Sequence, residues 1–340
     1  MHQLTRISHF VTDLVNEGLL SAIAKYRIKT PFPLDPVENW QFWTKPKATW
    51  LEQFAKNYPP KSRRRAYVNQ LLEQDHAIGI EDHYDISNEF YALFLDKKYR
   101  FYTCAEFLSE EETLEQAQIN KAKYLHRLLN LRGHEKMLDL GCGWGAMLKF
   151  LRDSGHEGEL TGLTLSKEQF AYIQQELGLN VQLKNFISDS FEHESYDRIF
   201  SIGALEHVRP AELTTIYRKI YDALTPGGIA VHQFFSFEHQ SYPGSSIILQ
   251  QFFPGSMLVL HNEHLEAAKR AGFQITHDSL GDYQPTLRAW YERLAANREQ
   301  ALSLVGLEIY NRYMTFFPIA WLFFQHEEAN LHRIVMEKPA

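Results

Sequence analysis

The chain has 340 residues, 44% of them apolar and 23% charged, with a net charge of −7. That is the composition of a soluble globular protein, long enough to bury a real core as one large domain or two. The negative balance argues against nucleic acid as the main partner and against wholesale adsorption to an anionic membrane. Two cysteines, Cys104 and Cys142, give neither a disulfide framework nor a metal pattern, so no metal is expected.

Residues 1 to about 80 read as a small helical N-terminal region. Met1 to Phe10 lack a charged stretch followed by an apolar one, so no signal peptide is expected. Ile7, Phe10, Val11, Leu14, Val15, Leu19 and Leu20 recur at helical spacing. A proline-rich break, Pro31 to Pro36, leads into a segment studded with Trp40, Phe42, Trp43, Trp50 and Phe54, ended by Pro59 and Pro60. Lys61-Ser62-Arg63-Arg64-Arg65 is a basic cluster at a helix start. It reads as a solvated helix end or as a contact with anionic head groups.

From Glu81 to the end the chain reads as one α/β domain. His83-Tyr84-Asp85 precedes a helix from Ile86 to Leu95, and a loop from Tyr99 to Phe107 carries Tyr102-Thr103-Cys104. A helix from Thr113 to Leu131 opens with a capping box, Thr113 with Gln116. Strands are expected at Leu160 to Leu163, Val181 to Leu183, Arg198 to Ile202 and Ile229 to Phe235, and a last one at Leu331 to Met336. Helices at Ser166 to Leu177 and Ala211 to Leu224 alternate with them, which predicts a doubly wound, mostly parallel sheet. Two insertions break the rhythm. Glu238 to Leu260 carries Phe252-Phe253-Pro254-Gly255, and Asp278 to about Phe324 includes helices at Pro285 to Ala296 and Glu299 to Phe316. Insertions beside the last strands build a lid or a substrate pocket. The longest apolar run, Phe316 to Phe324, falls short of the roughly 18 residues needed to span a bilayer, so a cytoplasmic location is expected.

The chain is organised around Lys136-Met137-Leu138-Asp139-Leu140-Gly141-Cys142-Gly143-Trp144-Gly145-Ala146, a buried strand turning through glycines into a helix. The spacing is G-x-G-x-G, not the G-x-G-x-x-G of a dinucleotide fingerprint. A nucleoside without a pyrophosphate fits better, and S-adenosylmethionine is the candidate; an unusual dinucleotide turn, or a loop with no ligand, is the alternative. In such a sheet the ligand crevice lies beyond the carboxyl ends of the strands. Asp139, Gly141 and Thr164 fall there, with Ser166 and Gln169 close behind Thr164, so a ribose would be held by neutral groups. Glu206 just past one strand end, facing His232 on the next strand, would form a carboxylate-imidazole pair for acid-base work. The plain alternative is a helix-capping Glu206 and a core histidine. Cys104 and Tyr283 read equally as core residues.

Several stretches resemble the cyclopropane-fatty-acid synthase family of methyltransferases. They are His83 to Phe107 with Tyr102-Thr103-Cys104-Ala105, Leu114 to Gln118, Asp139 to Gly145, Gly162 to Ser166, Asp197-Arg198-Ile199, Glu206-His207-Val208, Phe253-Pro254-Gly255, and Asp282-Tyr283 with Thr286-Leu287 and Ala289-Trp290. The match covers about residues 80 to 338 in the right order. It implies a Rossmann-like methyltransferase domain at 81–340, with S-adenosylmethionine as donor and an unsaturated phospholipid acyl chain as acceptor. A methyl group adds to a cis double bond, and proton loss closes a cyclopropane ring. The resemblance places a bicarbonate site on Cys104, Glu206, His232 and Tyr283 with the backbone at Phe234. It places cofactor contacts on Tyr102, Thr103, Gly141, Gly143, Thr164 and Gln169. It is compatible with peripheral contact at the inner membrane face and with a homodimer.

Departures from the family pattern are Gln233-Phe234 where Thr-Ile is usual, Glu106 in place of an aromatic, Asn185 where an acidic residue is common, and the sequence around Pro318. They bear on which acceptor is used. A small-molecule methyltransferase acting on an amine or isoprenoid is the alternative, and a non-catalytic binding module the remote one.

Overall fold

A computed structural model describes residues 35–45, 87–237, 259–327 and 329–340. The expected helix from Ile7 to Leu20, Trp50 and Phe54, the Lys61 to Arg65 cluster, His83-Tyr84-Asp85 and Phe252 to Gly255 lie outside the described residues.

The described elements in chain order are α1 (Pro36–Thr44), α2 (Asn88–Ala92), α3 (Leu114–Leu128), β1 (Met137–Leu140), α4 (Ala146–Asp153), β2 (Leu160–Thr164) and α5 (Lys167–Tyr172). There follow β3 (Asn180–Leu183), β4 (Tyr196–Ile202), α6 (Leu213–Ala223), β5 (Leu224–Phe237), α7 (His261–Ala271), β6 (Gln274–Gly281), α8 (Gln284–Ala296), α9 (Arg298–Gln325) and β7 (Ala329–Glu337). The strands form one sheet in the order β3-β2-β1-β4-β5-β7-β6. Neighbours from β3 to β5 pair in parallel, and β7 runs antiparallel to both β5 and β6. The chain winds outward from β1 to β3, then restarts at β4 on the other side of β1. The order therefore reverses between β1 and β4, where an open α/β sheet binds its ligand. The doubly wound, mostly parallel fold is as expected.

Both faces of the sheet are covered, so β1 and β2 are buried along their whole length. One core joins Ala230 and Phe234 of β5 to α6 and α7. The other joins Ile229 and Val231 of β5 to α3 and α4. A third, aromatic cluster lies at the carboxyl end of the sheet, where α1, α2, α8 and α9 pack around Phe94, Trp290 and Tyr313. This helical layer is the lid over the strand ends.

Local chemistry sets the element ends. The capping box of α3 forms: Gln116 N–H donates to Thr113 Oγ1 at 3.3 Å and Thr113 N–H to Gln116 Oε1 at 2.8 Å. Ser166 caps α5, which widens into a π-turn over Ile173–Leu177. α2 is shorter than expected because the chain turns at Asp96. That side chain accepts N–H bonds from Tyr99, Arg100 and Phe101 at 2.8, 3.1 and 2.7 Å, replacing a helix with a side-chain-anchored loop. α9 runs on through Pro318, with Gly306 (φ 73°, ψ 177°) as the break inside it. No described helix is long and apolar enough to cross a membrane.

Candidate active site

β1 delivers Asp139 to the crevice and turns at Gly141. Gly141, Gly143 and Gly145 have φ values of 81°, 55° and 74°, a region that side chains resist. A Cβ on Gly141 would lie 2.5 Å from Cβ of Ala204, so only glycine lets the loop close on the end of β4. A Cβ on Gly143 would meet nothing within 4 Å; it would project into open space.

That space is a cavity open to solvent at its mouth. Every residue expected at the cofactor lines it: Tyr102, Thr103, Asp139, Gly141, Gly143, Thr164 and Gln169. Arg100, Trp144, Lys184, Phe186 and His207 join them and were not anticipated. Asn185 is not on this wall; its side chain accepts the Ile187 N–H at 2.9 Å and so shapes the turn that presents Lys184 and Phe186. Thr164 donates to Gln169 Oε1 at 2.7 Å and accepts from Ser166 N–H at 3.2 Å, making a neutral polar shelf at the end of β2. Asp139 is buried, Oδ1 has no hydrogen-bond partner among the described residues, and burial pushes its carboxyl well above the usual range. A buried carboxyl of this kind calls for a cationic guest. S-Adenosylmethionine carries two positive groups on a nucleoside body, and these residues fit it.

A second cavity shares Tyr102, Thr103, Gly203 and His207 with the first. Its walls are apolar, from Tyr283, Leu287 and Trp290 near α8 and Phe316, Ala320, Phe323 and Phe324 of α9. Cys104, Glu206 and Gln233 supply polar groups. The strip between the cavities is firmly held. Thr103 receives Gln118 Nε2 on its carbonyl at 2.9 Å and Lys121 Nζ on its hydroxyl at 2.8 Å, and Ala105 N–H donates to Thr286 Oγ1 at 3.0 Å. The Cys104 thiol donates to the Asp282 carbonyl at 3.3 Å, and burial pushes it up to about 12, so it is a neutral thiol and not a nucleophile. Glu206 Oε1 accepts the Phe235 N–H at 3.1 Å. Its Oε2 is buried with no hydrogen-bond partner among the described residues. Burial raises this carboxyl to about 7.

A sequence profile of the mycolic acid cyclopropane synthetase family matches residues 72–334. The chain belongs to this family. The S-adenosylmethionine-dependent methyltransferase UmaA of Mycobacterium tuberculosis is 31% identical over 277 residues, 75% of this chain and 95% of UmaA. Cyclopropane mycolic acid synthase 1 of the same species is 32% identical over 260 residues, 71% of this chain and 90% of that one. Among solved structures, the cyclopropane synthase CmaA1 complexed with SAH and CTAB superposes with a TM-score of 0.70 at 29% identity, over 77% of this chain and 98% of that one. Coclaurine N-methyltransferase reaches 0.73 over 95% of this chain and 99% of that one, but at 19% identity it shows the fold alone. The protein is thus an S-adenosylmethionine-dependent methyltransferase of the mycolic acid cyclopropane synthetase family.

Within this family member, the structure brings Cys104, Glu206 and Tyr283 to one cavity but not His232. The expected Glu206–His232 pair needs correction, because side chains alternate along a strand. Gln233 and Phe235 face the cavity, whereas His232 and Phe234 turn to the α6/α7 face, with His232 packed edge-on to Tyr217 at 5.9 Å between ring centres. Both His232 ring nitrogens are buried without a hydrogen-bond partner among the described residues, and burial pushes the ring down to about 3, so it is neutral. The backbone group reaching Glu206 belongs to Phe235, one residue beyond the expected Phe234.

One cluster of metal-ligating types lies away from both cavities. His261 Nε2 stands 2.7 Å from Asp278 Oδ2 and His332 Nδ1 3.5 Å from Oδ1, with the two rings stacked 3.6 Å apart at 12°. Parallel rings send their in-plane lone pairs side by side, which suits a shared carboxylate better than convergence on one ion. The His261–Asp278 hydrogen bond ties α7 to β6, and the stacked His332 ring and its longer contact to Asp278 join β7 to them.

Proposed function

We propose that this protein transfers a methyl group from S-adenosylmethionine to the cis double bond of an unsaturated phospholipid acyl chain, forming a cyclopropane or methyl-branched chain. The observation that carries this reading is the apolar cavity abutting the cofactor pocket across Tyr102, Thr103 and Gly203. An alkene is a weak nucleophile, so the rate must come from placing it in line with the sulfonium and from excluding water. The second cavity offers both, and Tyr283, Trp290 and Phe324 put aromatic faces where positive charge develops.

A proton must then leave, and among the described residues lining the cavity the titratable side chains include Cys104, Glu206 and His207, the last made a weak base by burial. Cys104 is a neutral thiol, and Glu206 titrates near neutrality. The unpartnered Oε2 of Glu206 fits a small hydrogen-bonding guest such as bicarbonate, held by Cys104, Glu206 and Tyr283. Such a group, when bound, supplies a proton acceptor. Glu206 in its protonated form donates a hydrogen bond to an anion, where an ionised carboxylate would repel it.

The test is incubation with methyl-labelled S-adenosylmethionine and vesicles of monounsaturated phospholipid, followed by separation of acyl chains from head groups. Label in the acyl chain, absent when saturated lipid is supplied, supports the reading. Label only in an added amine or isoprenoid acceptor would replace it with the small-molecule alternative.

A further inference from the structure

Glu106, on the loop between the cavities, and Gln233 of β5 meet at a single side chain. Arg333 sits on β7 directly opposite Gln233 of β5 and is 2% exposed. Its Nη2 lies 2.5 Å from Glu106 Oε2, and its Nε donates to Gln233 Oε1 at 2.9 Å. A buried guanidinium needs both a counter-charge and hydrogen-bond acceptors. Glu106 supplies the first and Gln233 the second. The amide of Gln233 then has one orientation left: Oε1 faces Arg333, and Nε2 faces the Cys104 carbonyl, 3.4 Å away.

We propose that Arg333 is a positioning residue, which orients the Gln233 amide and pins the 104–106 loop at the floor of the second cavity. It grips that loop at two points, directly at Glu106 and through Gln233 at Cys104. The same loop carries Tyr102 and Thr103, which separate the two cavities, so its placement sets the distance between methyl donor and acceptor. Small misplacements of this kind cost rate steeply. The inference rests on the second cavity being the acceptor site, and its test includes a readout that needs no acceptor.

The alkylation rate of Cys104, followed by peptide mapping with a small maleimide, reports opening of the loop, since the thiol is fully buried. Arg333→Lys keeps a positive charge for Glu106 but loses the planar fork that reaches Gln233 as well. We expect Cys104 in this variant to be alkylated roughly tenfold faster, the scale of one lost net hydrogen bond. Turnover should fall by at least about the same factor, with KM for S-adenosylmethionine and affinity for S-adenosylhomocysteine near parental. Gln233→Leu leaves the Arg333–Glu106 contact in place and should show the same faster alkylation, so the test survives if Arg333 variants fail to fold. Parental alkylation rates in both variants would overturn the inference. A parent enzyme inactive on every acyl lipid would instead count against the functional reading, while the alkylation arm still decides the role of Arg333.

Discussion

Gly141 and Gly143 stand two residues apart in one loop, yet they do different work. Gly141→Ala forces a methyl group against Ala204 at a φ of 81°, so it should lower stability by about 1–3 kcal/mol and cofactor affinity with it. Gly143→Val places a Cβ that meets nothing within 4 Å and carries its methyl groups into the cofactor space. It should abolish calorimetric binding of S-adenosylmethionine while costing no more than the backbone strain of one residue, about 1–2 kcal/mol. Unaltered affinity in Gly143→Val would contradict the placement of the cofactor. Glu206 leaves a signature in pH. Its carboxyl titrates near 7 in the fold against an ordinary 4.5. Between those values the unfolded chain has released its proton and the folded chain has not, so stability falls as pH rises through this window. Glu206→Gln lacks that decline, and its stability relative to the parent should grow by about 3 kcal/mol from acid to neutral pH in urea titrations. Parallel pH curves for the two proteins would show that Glu206 ionises freely. The glycine spacing and the polar run after β2 were legible in the sequence because each is a local pattern. Gln233 was read as a departure and His232 as a site residue. Which of two adjacent strand residues faces the cavity depends on sheet register, which no local motif displays.

At the scale of elements, the sequence places the end of α9 at Phe316, whereas the helix runs on through Pro318, which cannot donate to the carbonyl of Met314. The helix continues because Asn39 of α1 supplies the missing donor: its Nδ2 lies 3.1 Å from Met314 O and 2.9 Å from the Tyr291 hydroxyl. The two partners are 275 residues apart, so the rescue is invisible to any local reading. Asn39→Leu should cost about 1–3 kcal/mol in thermal or urea unfolding, because it strands a buried carbonyl. In a Pro318→Ala background the new N–H reaches that carbonyl, and the cost of Asn39→Leu should shrink by about 1 kcal/mol. Additive costs would mean that Asn39 acts elsewhere. The central strands and α3 were legible from apolar runs and a capping box. α7 and β6 were missed for reasons of composition. α7 buries His264, Ala267, Ala268 and Ala271, with no stripe of large apolar residues, and β6 is an edge strand with no fully buried residue.

Across the whole molecule, two chambers meet at the carboxyl end of one sheet. The cofactor chamber was largely legible because its key residues cluster around the first two strand ends. The second chamber was legible only through resemblance, since its wall joins Cys104, Glu206, Gln233, Tyr283 and the aromatic end of α9 from segments scattered over half the chain. The central claim is that an acyl carbon, not nitrogen or oxygen, receives the methyl group, and that a proton then leaves, from the methyl group if a ring closes. Mass analysis of acyl chains after reaction with S-adenosylmethionine bearing a CD3 group tests this most directly. Ring closure retains two deuterons and a methyl branch retains all three, so the account predicts acyl chains carrying a CD2 or a CD3 unit, with unchanged head groups. A CD3 unit retained intact on a head group or small acceptor, with unmodified acyl chains, would contradict it.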